Sequence, residues 1–210
     1  MRTEQEFFEW YDNEASEQER SLVDKVGDLG EMFDDMLFRH GTSAYELTVV
    51  SAVKDGKTIR VGESLPEELE DFDYTSYFYK VEELPDCDGY YNDDDKMICI
   101  SPEQLENDTT ILHEMIHLHE AVINKLPMYF HDMVYWALYK DLREKIPNLD
   151  EIITQHSHVV TGSGLQKEGG THDILFLLKS FDLDIRQGKH LGTVFAYGRE
   201  KDFQKYSYIK

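Results

Sequence analysis

The sequence predicts an α+β fold: a small mixed sheet packed on one histidine-bearing helix, with additional helices around it. Three observations predict it. Apolar and aromatic residues recur at helical spacing near the start of the chain, short β-branched and aromatic runs punctuated by turn signals follow, and a helix with two unlike faces stands between Ser101 and Pro127.

Residues 3–38 read as mostly helical. Phe7, Phe8, Trp10 and Tyr11, then Leu22, Val26, Leu29, Met32, Phe33, Met36 and Leu37, fall at helical intervals, and such stripes make core. Residues 45–53 and 57–61 flank Asp55-Gly56, a hairpin signal. The acidic stretch 67–73 reads as a solvated loop or short helix, and 76–81 as a strand. From Gly89 onward a polar turn, Asn92-Asp93-Asp94-Asp95, leads into the apolar strand Met97-Ile98-Cys99-Ile100.

The central helix has two candidate starts. Ser101-Pro102-Glu103-Gln104 offers a cap, a first-turn proline and a glutamine three residues after the cap, while Asn107 or Asp108 offers a second start. At about 100° per residue, Ile111, Leu112, Met115, Leu118, Val122 and Ile123 share one broad arc. His113, His117, Glu120 and Asn124 share the opposite, narrower face. Residues 132–146 suit a second amphipathic helix, ended by Pro147. Glycines 162, 164, 169 and 170 mark loops, with a helix over 173–187 and a short strand over 192–197 after them. Those glycines are no phosphate loop, because no Gly-Lys-Ser/Thr follows.

One motif carries chemistry. His113-Glu114-Met115-Ile116-His117 reads H-E-x-x-H. Residues four apart on a helix share a face, so both imidazoles can reach one metal ion, and the adjacent glutamate can take a proton from its water. A shuffled chain of this composition yields roughly 0.04 such matches, so the motif leans on its context. The strand, capped turn and helix in front of it are an order common in zinc peptidases. There the strand edge can pair with an extended substrate; alternatively the 97–101 strand only closes the sheet.

The order Gly89-Tyr90-Tyr91, polar turn, Ile98-Cys99-Ile100-Ser101, Leu112-His113-Glu114-Met115-Ile116-His117, then a histidine on the next helix, resembles the SprT-like, or minigluzincin-type, zinc metallopeptidases. The resemblance runs over residues 89–146. It implies a zincin-like fold, a bound Zn2+, Glu114 as catalytic base, and a third histidine ligand shortly after the motif helix. His131, in Tyr129-Phe130-His131-Asp132, matches that ligand by position, although aromatic residues stand where the family more often has small ones.

Other third ligands fit less well. Glu120 lies on the ligand face, but three ligands from one straight helix make poor tetrahedral geometry, so it reads as an acceptor for a ligating imidazole's other N–H. Glu144 and Glu151 sit in the wrong pattern for the long-spaced glutamate of larger gluzincins. Ala121 and Ile123 occupy the places where metzincins need Gly and His, and Cys99 lacks the setting of a deformylase ligand. His119 lies on the apolar arc and reads as a core histidine or a support to the ligands. His156, His158 and His172 lie in or beside loops, where a surface role is ordinary; His158 is the candidate oxyanion donor.

The 210 residues suit one core, hence a single domain over 1–210. It divides into a helical part (1–44), a small sheet (45–101), metal-binding helices (102–150) and a C-terminal lobe or lid (151–210). The net charge of −22, with no basic run, argues against nucleic acid as a partner. Cys87 and Cys99 make no disulfide framework, the first residues lack a signal-peptide pattern, and no apolar run approaches a membrane span, so a cytoplasmic protein is expected. The expected function is zinc-dependent hydrolysis of a peptide or protein substrate. The alternatives are a non-catalytic zinc-stabilised binding protein, closed by Glu120 or a loop histidine as fourth ligand, and a zinc hydrolase of a non-peptide amide.

Overall fold

A computed structural model describes residues 2–34, 53–54, 57–58, 74–123, 128–162, 172–195 and 200–209. The N-terminal stretch forms two helices, α1 (Glu4–Asn13) and α2 (Glu17–Asp34). Each begins with a reciprocal cap that the spacing of apolar residues does not reveal. The Thr3 hydroxyl accepts from Glu6 N–H while the Glu6 carboxylate accepts from Thr3 N–H, and Ser16 and Glu19 repeat the exchange at 3.2 and 2.8 Å. The second cap breaks what read as one helical run. Phe7, Leu22, Val26 and Phe33 are buried at its core.

The hairpin expected at Asp55-Gly56 is present as β1 (Val53–Lys54) paired antiparallel with β2 (Lys57–Thr58). The rest of 45–61 and the stretch 67–73 lie outside the described residues. A three-stranded mixed sheet follows, built from β3 (Phe78–Val81), β4 (Gly89–Asn92) and β5 (Met97–Ile100) in the order β3-β5-β4. β5 pairs parallel with β3 and antiparallel with β4. Ile98, Cys99 and Ile100 are fully buried, as a central strand with both faces covered requires. The 97–101 segment is therefore not an edge, which corrects its reading as a strand open to substrate: both sides of β5 are taken. The outer strands are β3 and β4, and β4 packs on the motif helix.

Both candidate starts before that helix exist. Pro102–Gln104 is a separate 3-10 turn, and α3 (Asp108–Ile123) begins anew behind Asn107, whose side-chain oxygen accepts from Thr109 N–H at 3.2 Å. Ile111, Leu112, Met115 and Leu118 are buried as the apolar arc predicts. So are Glu114, His113 and Ile116, because the sheet, α2 and a C-terminal helix close on α3 from different sides. Its histidine face is roofed.

That C-terminal helix decides the architecture. α4 (Met128–Lys145) and α5 (Leu149–Gly162) lead to α6 (Ile174–Arg186), in which every residue from Leu175 to Asp184 is buried. The Asp173 side chain caps it by accepting from Phe176 N–H at 2.8 Å. α6 packs against α3, α4 and α5, and burying a side chain such as Phe176 contributes about 1.5–3 kcal/mol. The short strand expected over 192–197 is corrected: residues 191–195 form a turn, their amides taken by a side chain instead of a neighbouring strand, and 196–199 lie outside the described residues. A last helix, α7 (Glu200–Phe203), packs Phe203 against Phe181 and Phe195. Among the described residues no helix is long and apolar enough to cross a membrane.

Candidate metal centre

α3 sets His113 and His117 one turn apart on the side facing α6, with ring centroids 5.1 Å apart. The N-terminus of α6 points at this pair. His172, directly ahead of the Asp173 cap, brings its Nε2 to 2.9 Å from Nε2 of His113, and its ring to 5.1 Å from that of His117. One nitrogen from each of the three rings lies within 4.8 Å of the others. The Phe176 ring forms a wall 4.7 Å from His113, 4.7 Å from His117 and 4.5 Å from His172.

The opposite nitrogen of His113 is occupied. Its Nδ1 lies 2.9 Å from the Val194 carbonyl, which can only accept, so Nδ1 carries the proton and Nε2 presents its lone pair. A backbone carbonyl behind a ligating imidazole is a common support in metal sites. Burial pushes the His113 imidazole down to about 3, helped by His172 beside it and opposed by the Val194 contact. Burial also drives His117 well below its ordinary value, and lowers His172. All three are thus neutral near pH 7, the form that binds a metal. At Zn–N distances of 2.0–2.1 Å, tetrahedral ligand nitrogens stand about 3.3 Å apart, which falls between the 2.9 Å from His113 to His172 and the 4.8 Å that bounds the whole set. The donor set fits a divalent ion of the zinc type.

Glu114 is buried, and its side chain leans towards β4. A Cβ on Gly89 would fall 3.3 Å from Glu114 Cγ and 2.7 Å from Ile100 Cδ1, so the glycine lets the outer strand approach the helix here.

The remaining candidates lie elsewhere. His131 is not in the cluster: its Nε2 is 3.9 Å from Asp173 Oδ2, and that carboxylate raises its pKa. The third histidine that the structure brings to His113 and His117 is His172 instead of His131. The physical reason is that α4 packs mainly on α6 and presents His131 to the cap of that helix, whereas the residue before the cap reaches the pair. Glu120 Oε1 faces Lys179 Nζ at 3.4 Å, a lysine with no exposed surface, and burial pushes the Glu120 carboxyl up to about 7. Its partner is thus a cation, where the sequence suggested an imidazole. His119 packs edge-on against Phe33 at 5.8 Å, and its ring nitrogens have no partner among the described residues; it is a core histidine. His158 lies within α5, and its side chain is outside the described residues. Sequence reasoning placed His172 among the loop histidines. A usable signal was there: a residue directly before an Asp-capped helix that opens on five apolar residues, Ile174 to Leu178, is anchored to the core.

Comparison of the chain with known protein families, with curated proteins and with solved structures finds no match in any of the three.

Proposed function

We propose that this protein is a zinc-dependent metallopeptidase of the zincin type, akin to the SprT-like enzymes, with His113, His117 and His172 holding the ion and Glu114 as the base. The observation that carries the reading is the convergence of three neutral histidine nitrogens, His113 buried and His117 and His172 partly so, at a helix that also bears the glutamate of H-E-x-x-H. Zinc, when bound, supplies a Lewis acid that polarises a carbonyl and acidifies a water. Glu114 takes a proton from the attacking water and returns it to the leaving amine. The wall of Phe176 and the roof of α6 keep bulk water from the ligand side. An extended peptide pairs with the outer edge of β4, which no strand takes among the described residues and which packs on α3 beside Glu114. Three protein donors in the cluster, among the described residues, suit a site with its fourth position open, which favours an enzyme over a closed structural zinc.

The test combines metal analysis with turnover. Protein purified without chelator should carry one zinc per chain and cleave a peptide library. Glu114→Gln should keep the zinc and lose about 100- to 10,000-fold in rate. A glutamine variant as active as wild type would show that Glu114 is not the base.

A further inference from the structure

The turn that supplies the Val194 carbonyl is itself organised from one point. Asp184, in the last turns of α6, has no exposed surface. Its Oδ2 accepts from Gly192 N–H at 2.7 Å and Thr193 N–H at 3.1 Å, and its Oδ1 from Val194 N–H at 2.9 Å. Three consecutive amides converge on one carboxylate, which makes a backbone nest for an internal anion. Burial pushes the Asp184 carboxyl up to about 7, while the three amide donors favour its ionised form.

The turn is pinned from the other side too. Gly192 has φ +85, and a Cβ there would lie 2.5 Å from the Phe203 ring, so α7 presses directly on the backbone. Thr193 closes the turn by donating from Oγ1 to the His190 carbonyl at 2.6 Å. Two groups reach from this turn to the metal centre: the Phe195 ring, 5.6 Å from that of His172, and the Val194 carbonyl, the one that hydrogen-bonds a histidine there. Val194 is held by its N–H on Asp184, and its C=O receives the Nδ1–H of His113.

We propose that Asp184 is a positioning residue of the metal centre: it holds the 192–194 turn so that the Val194 carbonyl fixes His113 in its Nδ1–H tautomer, with Nε2 turned to the ion. The proposal rests on the reading of the three histidines as ligands, but the tautomer is a property of the metal-free protein. Without Asp184 the three amides lose their common acceptor, the carbonyl drifts, and His113 gains the freedom to protonate on Nε2, the nitrogen that should bind.

The experiment compares wild type, Asp184→Asn and Asp182→Asn. Asp182 is equally buried on the same helix, but it pairs with Arg186 at 2.6 Å, and the turn's amides bond to Asp184 and not to it. Long-range 15N NMR of the histidine rings reads the His113 tautomer without metal, and chelator competition reads zinc affinity. Wild type should show Nδ1–H. Asp184→Asn should show a mixture or Nε2–H, and bind zinc about 10- to 100-fold more weakly. Asp182→Asn should lose stability and change neither readout. A wild-type His113 already protonated on Nε2 overturns the proposal even if the asparagine variant fails to fold. So does a folded Asp184→Asn with tautomer and affinity unchanged, or an Asp182→Asn that weakens zinc as much. Should wild type bind no zinc while Asp184→Asn still shifts the tautomer, the metal reading fails and the positioning role stands.

Discussion

The Nε2 atoms of His113 and His172 lie 2.9 Å apart although 59 residues separate them in the chain. With the His113 Nε2 presenting its lone pair, a neutral His172 protonated on Nε2 donates to it, and a cation that takes the place of that proton binds to both rings. The α6 cap brings His172 there, and the Val194 carbonyl turns the His113 lone pair towards it.

Removing His172 should therefore abolish stoichiometric zinc, and removing His131 should not. His172→Ala is expected to drop metal content well below one per chain. His131→Ala should retain it and lose only part of the contact to Asp173, about 1 kcal/mol or less for a half-exposed pair. Metal analysis after gel filtration decides. A His131→Ala protein stripped of zinc would restore the ligand that the family resemblance implies.

Gly89→Ala probes the approach of β4 to Glu114. The added methyl meets the buried Ile100 Cδ1 at 2.7 Å and the Cys99 carbonyl at 3.1 Å, and neither has room to move. Overpacking of this kind costs about 1–3 kcal/mol. Urea denaturation should show that loss, and turnover should fall more than substrate binding as Glu114 is displaced. An alanine variant as stable as wild type would mean that the strand slides freely.

Lys179 has no exposed surface and faces Glu120. Lys179→Met leaves a buried carboxylate without its cation, a change that typically costs about 3–5 kcal/mol. The Glu120 carboxyl, already pushed up to about 7 by burial, can escape the penalty by taking a proton, so the loss should be larger at pH 8 than at pH 6. The double variant Lys179→Met, Glu120→Leu should recover most of the stability. Equal losses at both pH values would show that Glu120 stays charged in the variant.

The pH dependence of the metal-free fold has a defined sign at His113. Its folded pKa, about 3, lies below the ordinary 6.5 of the unfolded chain. Its contribution to stability is therefore fully present above pH 6.5, and is lost as pH falls from there through 3. NMR titration should find the His113 ring neutral at pH 5, and acid should weaken zinc binding because the ligands must shed protons. A midpoint near 6 for this ring would contradict its burial.

What the sequence determined by itself was local. The four-residue spacing put His113 and His117 on one helical face, the apolar run behind Asp173 marked α6 to within a residue or so, and turn chemistry marked the hairpin at Asp55-Gly56 and the strand at Met97–Ile100. These follow from period, capping and turn preference, which act between near neighbours. Tertiary structure decided the rest. It brought His172 instead of His131 to the pair, made β5 central with β3 and β4 outside it, bent 192–195 around Asp184, and gave Glu120 a lysine for a partner. Each of these depends on which faces of distant elements meet. That choice is made by burying α6 against three helices at once, and no periodicity within a single element encodes it.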